Sequence, residues 1–486
     1  YCDMPEQSLK EKTAKGLLWG GVSNGVQQLL NLIFGIFLAR LLTPADYGMV
    51  GMLTIFTAIA GTLQESGFTV ALANKKNISH KDYNAVFWFS TLMGLSLYTI
   101  LFFSAPLIAN YYRQPDLVPL ARLTFLGFLI SSTATAHNAY LFRNLMVKQK
   151  AISQLPALLL SGTTGIIMAL NGMSYWGIAI QSLIYIAIIN LSFWYFSPWR
   201  PTFQINFSPL KEMFGFSSKM LLTNIFLQIN NNIFSAIIGR LFTPKEVGLY
   251  TQANKWNIMG SSFIGGMISS VAQPVLSQLS ESQDRQQNAF RKMLRFTAYL
   301  SFPAMFGLAL IAPEFIYLTI QDKWMPCVPI LQILCIWGAF LPITTLCSNL
   351  IISKGKSNIY MWNTIGISII QIIAILLVHQ WGIHMMIAIY SSLNIIWLFI
   401  WLYFINKEIG LTVLNAIKDI TPFVSTAALS ILLSYLITLP IEIPIFVLLT
   451  KIATTAILYL GIMQIIGLQI QKEIFNYLIK HKITEQ

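Results

Sequence analysis

Runs of roughly 20 predominantly apolar residues follow one another along the chain with short polar gaps between them, and that is the length a helix needs to cross bilayer hydrocarbon. Fourteen such runs can be placed, at 17–42, 47–71, 85–109, 119–141, 154–171, 175–196, 214–241, 247–275, 294–318, 328–352, 358–378, 382–403, 421–439 and 443–467. Hydrocarbon offers no water to unpaired backbone groups, so the runs must be helices rather than open sheets. The expected fold class is an all-α integral membrane protein with about 14 transmembrane helices. Charged residues are only 10% of the 486, against about 25% in soluble domains. A soluble enzyme, a secreted disulfide scaffold and a disordered hub are excluded on that ground.

The 31 Lys and Arg outnumber the 18 Asp and Glu, but they recur singly or in pairs between the runs. A nucleic-acid binder would concentrate them on one face or tail. With a cytoplasmic N-terminus, 23 basic residues fall on the cytoplasmic side, while Arg40, Arg113, Arg122, Arg240, Lys245 and Lys323 fall opposite. Short loops are where the positive-inside rule holds best, so both termini are expected in the cytoplasm. The polar start with Lys10, Lys12 and Lys15 leads into a run too long for a signal-peptide core, and is expected to stay as the first span. Cys335 and Cys347, twelve residues apart in one run, are too distant along a helix to bridge.

Shifting the sequence on itself by 200 residues aligns Asn24–Gly48 with Asn224–Gly248 and gives ten identities in 25 positions, among them Asn24/Asn224, Gln28/Gln228, Asn31/Asn231, Arg40/Arg240, Thr43/Thr243, Pro44/Pro244 and Gly48/Gly248. Apolar helices match on Leu and Ile by chance; they do not readily match on Asn, Gln, Arg, Pro and Gly together. The echo continues with Ala105-Pro106 against Ala312-Pro313, Val118-Pro119 against Val328-Pro329, and Trp176-Gly177-Ile178 against Trp381-Gly382-Ile383. Each repeat holds six spans, an even number, so the halves enter the membrane alike and are related by a pseudo-two-fold along its normal. Residues 1–200 and 201–410 are expected to form two six-helix lobes, with 411–486 an appended helix pair and tail. Such paired bundles are a transporter architecture with the substrate site between the halves.

The segments GLLWGGVSNGVQQ, LARLLTPADYG, SPWRP, IGRLFTPKEVGLY, FPAMFGLALIAPEFI and DKWMPCVPILQIL, in this order and spacing, resemble the polysaccharide flippases of the MOP superfamily. The branch they look most like is the Wzx-type, colanic-acid-exporter-like group. The resemblance runs from about residue 10 to 405. It implies a fourteen-helix fold of two lobes around a central cavity in the bacterial inner membrane. The implied task is moving undecaprenyl-pyrophosphate-linked oligosaccharide units from the cytoplasmic to the periplasmic leaflet for O-antigen, capsule or exopolysaccharide synthesis. The implied partners are that substrate and membrane lipid, with polysaccharide polymerase and export machinery beside a monomeric transporter. No cofactor and no metal are implied.

Substrate-binding candidates follow from polarity inside the spans. Asn24, Gln28 and Asn31 fall at i, i+4 and i+7, on one helical face over about 10 Å of axis. Asn224, Gln228 and Asn231 repeat the stripe. Amides in hydrocarbon need partners, so these faces meet either another helix or a wet cavity, where they would suit sugar hydroxyls. Lys255 lies about 12 Å into its span, and its repeat mate is Ile55. Fold maintenance is expected to be symmetric, whereas one bound pyrophosphate can be held asymmetrically. The alternative is a snorkelling or paired lysine. Arg40 and Arg240, each before a Leu and a Thr-Pro pair, read first as helix-end or headgroup anchors and second as outer-gate residues. Glu65 and Glu314 are candidates for ion coupling, with local pairing equally open. Relatives often carry an acid just ahead of the Ile-Gly-Arg; here Asn230-Asn231-Asn232-Ile233-Phe234-Ser235 has none, which puts carboxylate coupling there in doubt. His137 is expected near an interface, and Lys451 is deep enough to need a partner.

The expected function is a non-enzymatic flippase working by alternating access. A cation-coupled drug or metabolite exporter of the same fold should bury a carboxylate in its cavity, and this chain offers Lys255 and amides instead. A membrane-embedded glycan polymerase or acyltransferase needs concentrated acidic, His or Arg residues, usually with a sizeable extramembrane loop. Neither feature is present.

Overall fold

The computed structural model describes residues 9–65, 72, 78–144, 146–279 and 282–466. Among these it holds sixteen α-helices and no strand. They are α1 (Leu9–Leu41), α2 (Pro44–Glu65), α3 (His80–Tyr112), α4 (Leu117–Ser132), α5 (Thr135–Arg143), α6 (Val147–Leu170), α7 (Ser174–Phe196) and α8 (Ser208–Leu241). There follow α9 (Pro244–Gln278), α10 (Gln283–Ile320), a 3-10 turn (Asp322–Cys327), α11 (Val328–Gly338), α12 (Leu341–Ser353), α13 (Ser357–Val378), α14 (Ile383–Ile409), α15 (Val413–Thr438) and α16 (Pro444–Ile466). In their described parts the apolar runs are helical, 119–141 and 328–352 each as two helices, and the helices overshoot several runs because charged turns such as 283–293 continue the same coil. Among the described residues, ten spans are long and apolar enough to cross a membrane, with the bent pair α4–α5 an eleventh. The helices α8 and α9 are not among them. Their amides, and Lys255 in α9, lower the apolarity that the other spans keep.

Two compact units divide at Gly248, inside α9. In the first, α1 lies along α6, α3 along α4, and α6 along α7. The first helix of the second repeat, α8, packs on α2 and α3 and so belongs with this unit. Pro-rich chain after α7 is pinned to α3. The Asn84 side chain accepts from the Thr202 amide at 2.8 Å and donates to the Gln204 carbonyl at 2.6 Å, and the Trp88 indole donates to the Thr202 carbonyl at 2.7 Å. A single side-chain amide thus satisfies backbone that has no helix of its own, as buried backbone requires.

In the second unit the 38-residue α10 is the mast against which α11, α15 and α16 pack. Ion pairs fix the appended pair at two levels. Asp419 of α15, buried, accepts from Arg291 at 2.6 and 3.0 Å in a bidentate fork, with Arg295 at 3.7 Å. Lys451 of α16 meets Glu314 of α10 at 2.8 Å and also donates to the Leu310 carbonyl at 3.3 Å. Prolines at repeat-related positions take equivalent places. Pro106 and Pro313 lie inside α3 and α10, and Pro119 and Pro329 in the first turns of α4 and α11. Both of those last spans break midway, α4–α5 by 48° and α11–α12 at Ala339 and Phe340.

Candidate functional site

The duplicated Thr-Pro motifs start helices, and the local chemistry explains their sequence. The Thr43 hydroxyl and amide donate to the Asp46 carboxylate at 2.7 and 2.8 Å, and the Asp46 amide returns to the Thr43 hydroxyl at 3.3 Å. Thr243 and Glu246 repeat this at 3.0, 2.9 and 3.4 Å. Each is a capping box with Pro at the first helical position, where no N–H is needed. Two residues later stand Gly48 and Gly248, and they make one reciprocal contact. A Cβ on Gly48 would lie 1.7 Å from the Pro244 carbonyl oxygen, and a Cβ on Gly248 would lie 1.7 Å from that of Pro44. Residue i meets j while j meets i, the signature of a two-fold, and only a residue without a side chain permits the approach.

Arg240 sits beside this crossing. Its guanidinium donates to the Tyr111 carbonyl and lies 5.2 Å from the Tyr111 ring centroid. It therefore binds helix-end carbonyls, of α3 rather than of its own helix. Arg40 is exposed at the end of α1.

Of the amide stripes, Gln28 and Asn31 are exposed on α1, while Asn224 and Gln228 are half-buried and Asn231 is exposed on α8. The side chain of Asn24 lies outside the described residues. The inter-helix amide bond that α1 makes comes from Gln27, one residue off the stripe, which donates to Gln154 of α6 at 2.6 Å. On α8, Asn232 donates to the Gln228 carbonyl of its own helix at 2.9 Å. Periodicity singled out the repeated polar face and missed Gln27, because only the packing of α1 on α6 decides which amide is consumed by structure.

Lys255 is half-buried on α9. Among the described residues its ammonium has no hydrogen-bond or ion-pair partner. Its repeat mate Ile55 is buried at 9% exposure on α2. The same helix carries Gln252, fully buried with both amide atoms unpartnered, and the unpartnered buried oxygen of Asn257.

Glu314 and Lys451 are each other's partners, at 6% exposure for the lysine side chain and 16% for the glutamate; the second glutamate oxygen is buried without a partner. The Glu65 side chain lies outside the described residues. His137, expected near an interface, is fully buried within the protein. Its ring packs 4.3 Å from Trp194 and 5.2 Å from Trp199, because the chain after α7 folds back over α5 with its tryptophan inward. Among the described residues no cluster of His, Cys, Asp or Glu has metal-binding form.

Breaking a buried pair by removing one partner leaves an uncompensated charge and costs about 3–5 kcal/mol, whereas replacing both is near neutral. Lys451→Met is therefore expected to lower the thermal midpoint in detergent sharply, and Lys451→Met with Glu314→Gln to recover most of it. Equal midpoints for the single and double variants would show that the pair carries no such energy.

Residues 37–329, more than half of the chain, match the family described as "Polysaccharide biosynthesis protein". The chain belongs to that family. It is 28% identical over 354 residues to an "Uncharacterized membrane protein in cps region" of Klebsiella pneumoniae, covering 72% of this chain and 73% of that one. It is 23% identical over 358 residues to the "Lipopolysaccharide biosynthesis protein WzxC" of Escherichia coli K12, covering 72% of each. With "Teichuronic acid biosynthesis protein TuaB" of Bacillus subtilis it shares 22% over 429 residues, covering 87% of this chain and 89% of that one. Among solved structures, "Lipid II flippase MurJ, inward closed conformation" superposes with a TM-score of 0.77 at 16% identity, covering 93% of this chain and 98% of that one. An inward-facing MATE transporter of the MOP superfamily superposes with a TM-score of 0.65 at 17% identity over 79% and 94%. The fold is that of all-α membrane transporters, the chain is a multi-pass membrane protein, and the resemblance read from its motifs to the Wzx-type branch is borne out.

Proposed function

We propose that this member of the polysaccharide biosynthesis family is a flippase for lipid-linked oligosaccharide, turning the head group from the cytoplasmic to the outer leaflet of the bacterial inner membrane. The observation that carries it is Lys255, a half-buried cation on α9 with no counter-charge among the described residues and an apolar repeat mate. A charge at that depth costs about 2.5–3.5 kcal/mol even on insertion scales, and such an expense is retained for a ligand of opposite charge. The pyrophosphate of a lipid-linked sugar is that ligand in this reading, and the exposed amides Gln28, Asn31 and Asn231, with Asn24, Asn224 and Gln228, serve the sugar hydroxyls.

In this reading fourteen spans cross the membrane with both termini cytoplasmic, supported by the 23 against six split of basic residues. Residues 1–200 and 201–410 rock as lobes, and the Gly48–Gly248 crossing closes the outer end. An apolar cavity of about 680 Å³ bordered by Gly260, Pro303, Gly307, Leu308, Thr455 and Tyr459 lies where α16 meets α10 and suits the polyprenyl tail. Phosphates and unpaired hydroxyls would each cost several kcal/mol in lipid, so the protein hydrates the head while the tail stays in the bilayer.

A deletion strain is expected to trap lipid-linked repeat units on the cytoplasmic side, detected by their inaccessibility to periplasmic glycosidases. Undiminished polymerised surface glycan in that strain would remove the assignment.

A further inference from the structure

A second cavity, of about 560 Å³, lies wholly within the first unit, walled by α2, the bent pair α4–α5 and α7. That volume is in the range of small-molecule sites, about 300–1,000 Å³. Its polar groups include Thr54, Thr57, Gln64, Ser131, Asn138 and Asn190, and among the described residues no charged side chain lines it. Their hydrogen bonding is incomplete in a particular way. Ser131 donates to the Gln64 carbonyl oxygen at 2.9 Å, which orients that amide and leaves its NH2 as a donor. The Asn138 carbonyl oxygen is buried without a partner. Thr57 donates to its own helix at the Thr54 carbonyl, 2.9 Å, so its lone pairs remain as acceptors. Thr54 is exposed at the cavity edge, and Phe128, Tyr185 and Phe193 supply flat apolar wall.

A cation would call for a carboxylate here and an anion for a Lys or Arg; among the described residues the lining has neither. A purely apolar ligand would leave the Asn138 oxygen and Gln64 amide unsatisfied, at about 1–3 kcal/mol each. What remains is a neutral ligand with several hydroxyl or amide groups on an apolar ring. We propose that this cavity binds an uncharged sugar residue of the transported head group and selects which glycan is accepted. The proposal rests on the flippase reading for the identity of its physiological ligand.

Gly61 provides the cleanest test, since it borders the cavity and a Cβ there meets nothing within 4 Å. Gly61→Leu adds bulk at the cavity border and replaces a glycine by a better helix former. The purified full chain would be titrated calorimetrically with free hexoses, N-acetylhexosamines and neutral disaccharides, and separately with inorganic pyrophosphate. Millimolar binding of at least one saccharide is expected, weakened tenfold or more by Gly61→Leu and about fivefold or more by Asn138→Leu. The thermal midpoint of Gly61→Leu should not fall, and Lys255→Gln should weaken pyrophosphate binding. No saccharide binding, binding indifferent to Gly61→Leu, or detergent or lipid occupying the cavity in its place would overturn the proposal. Saccharide binding with this pattern in a chain whose deletion leaves surface glycan intact would overturn the flippase reading alone.

Discussion

Replacing Lys255 with Gln is expected to lower export of the lipid-linked glycan about 10- to 100-fold without loss of folded protein. The magnitude follows from one charge-assisted hydrogen bond, about 1.5–3 kcal/mol, at about 1.4 kcal/mol per tenfold. Among the described residues the ammonium has no partner, so its removal orphans no carboxylate there. The thermal midpoint should hold or rise, in contrast to Lys451→Met. Lys255→Ile, which installs the residue of the repeat mate, should lose as much transport as Lys255→Gln, and Lys255→Arg should keep most of it, because a guanidinium also binds phosphate. Cells carrying each variant at equal membrane levels, scored for periplasmic delivery of radiolabelled lipid-linked units, provide the measurement. Wild-type delivery by Lys255→Gln would refute a phosphate role for this residue.

The second large effect is expected at the glycine crossing. Gly48→Val places a branched side chain where even a Cβ falls 1.7 Å from the Pro244 oxygen, and backbone on both sides cannot yield as a flexible side chain does. The ends of α1 and α8 should separate, and transport should fall by more than tenfold because the closed-outer state is lost from the cycle. By the pseudo-two-fold, Gly248→Val should reproduce the defect. The double variant should be little worse than either single one, since both damage one contact. Spin labels at Leu41→Cys and Leu241→Cys, both exposed at 38% and 39%, in a Cys2→Ser background with Cys327, Cys335 and Cys347 buried, would report the separation. An unchanged label distance with normal transport would show that the crossing is not a gate.

These two expectations draw on different kinds of legibility. Lys255 could be picked out from the chain alone, since a charge inside an apolar run is visible locally and the repeat supplied Ile55 as its control. That it stands unpaired while Lys451 is paired was not legible. Glu314 and Lys451 are 137 residues apart, and hydropathy carries nothing about which helix faces which. The Thr-Pro motifs were legible as a repeat, and their acids three residues on complete helix caps. The reciprocal approach of Gly48 and Gly248 depends on the crossing of two helices. The packing of His137 against Trp194 and Trp199 was not legible for the same reason.

Composition, hydropathy and capping chemistry act within a few residues along the chain. They therefore settled by themselves that this protein is a bundle of membrane helices and that a polar and Thr-Pro pattern recurs 200 residues apart in its sequence. Azimuth and register between helices are set by side chains brought together from distant sequence. Only the tertiary structure could decide which amides are spent on packing, which charges are neutralised, and that α2, α4, α5 and α7 of the first unit line one cavity with Gln64, Ser131 and Asn138 among its walls.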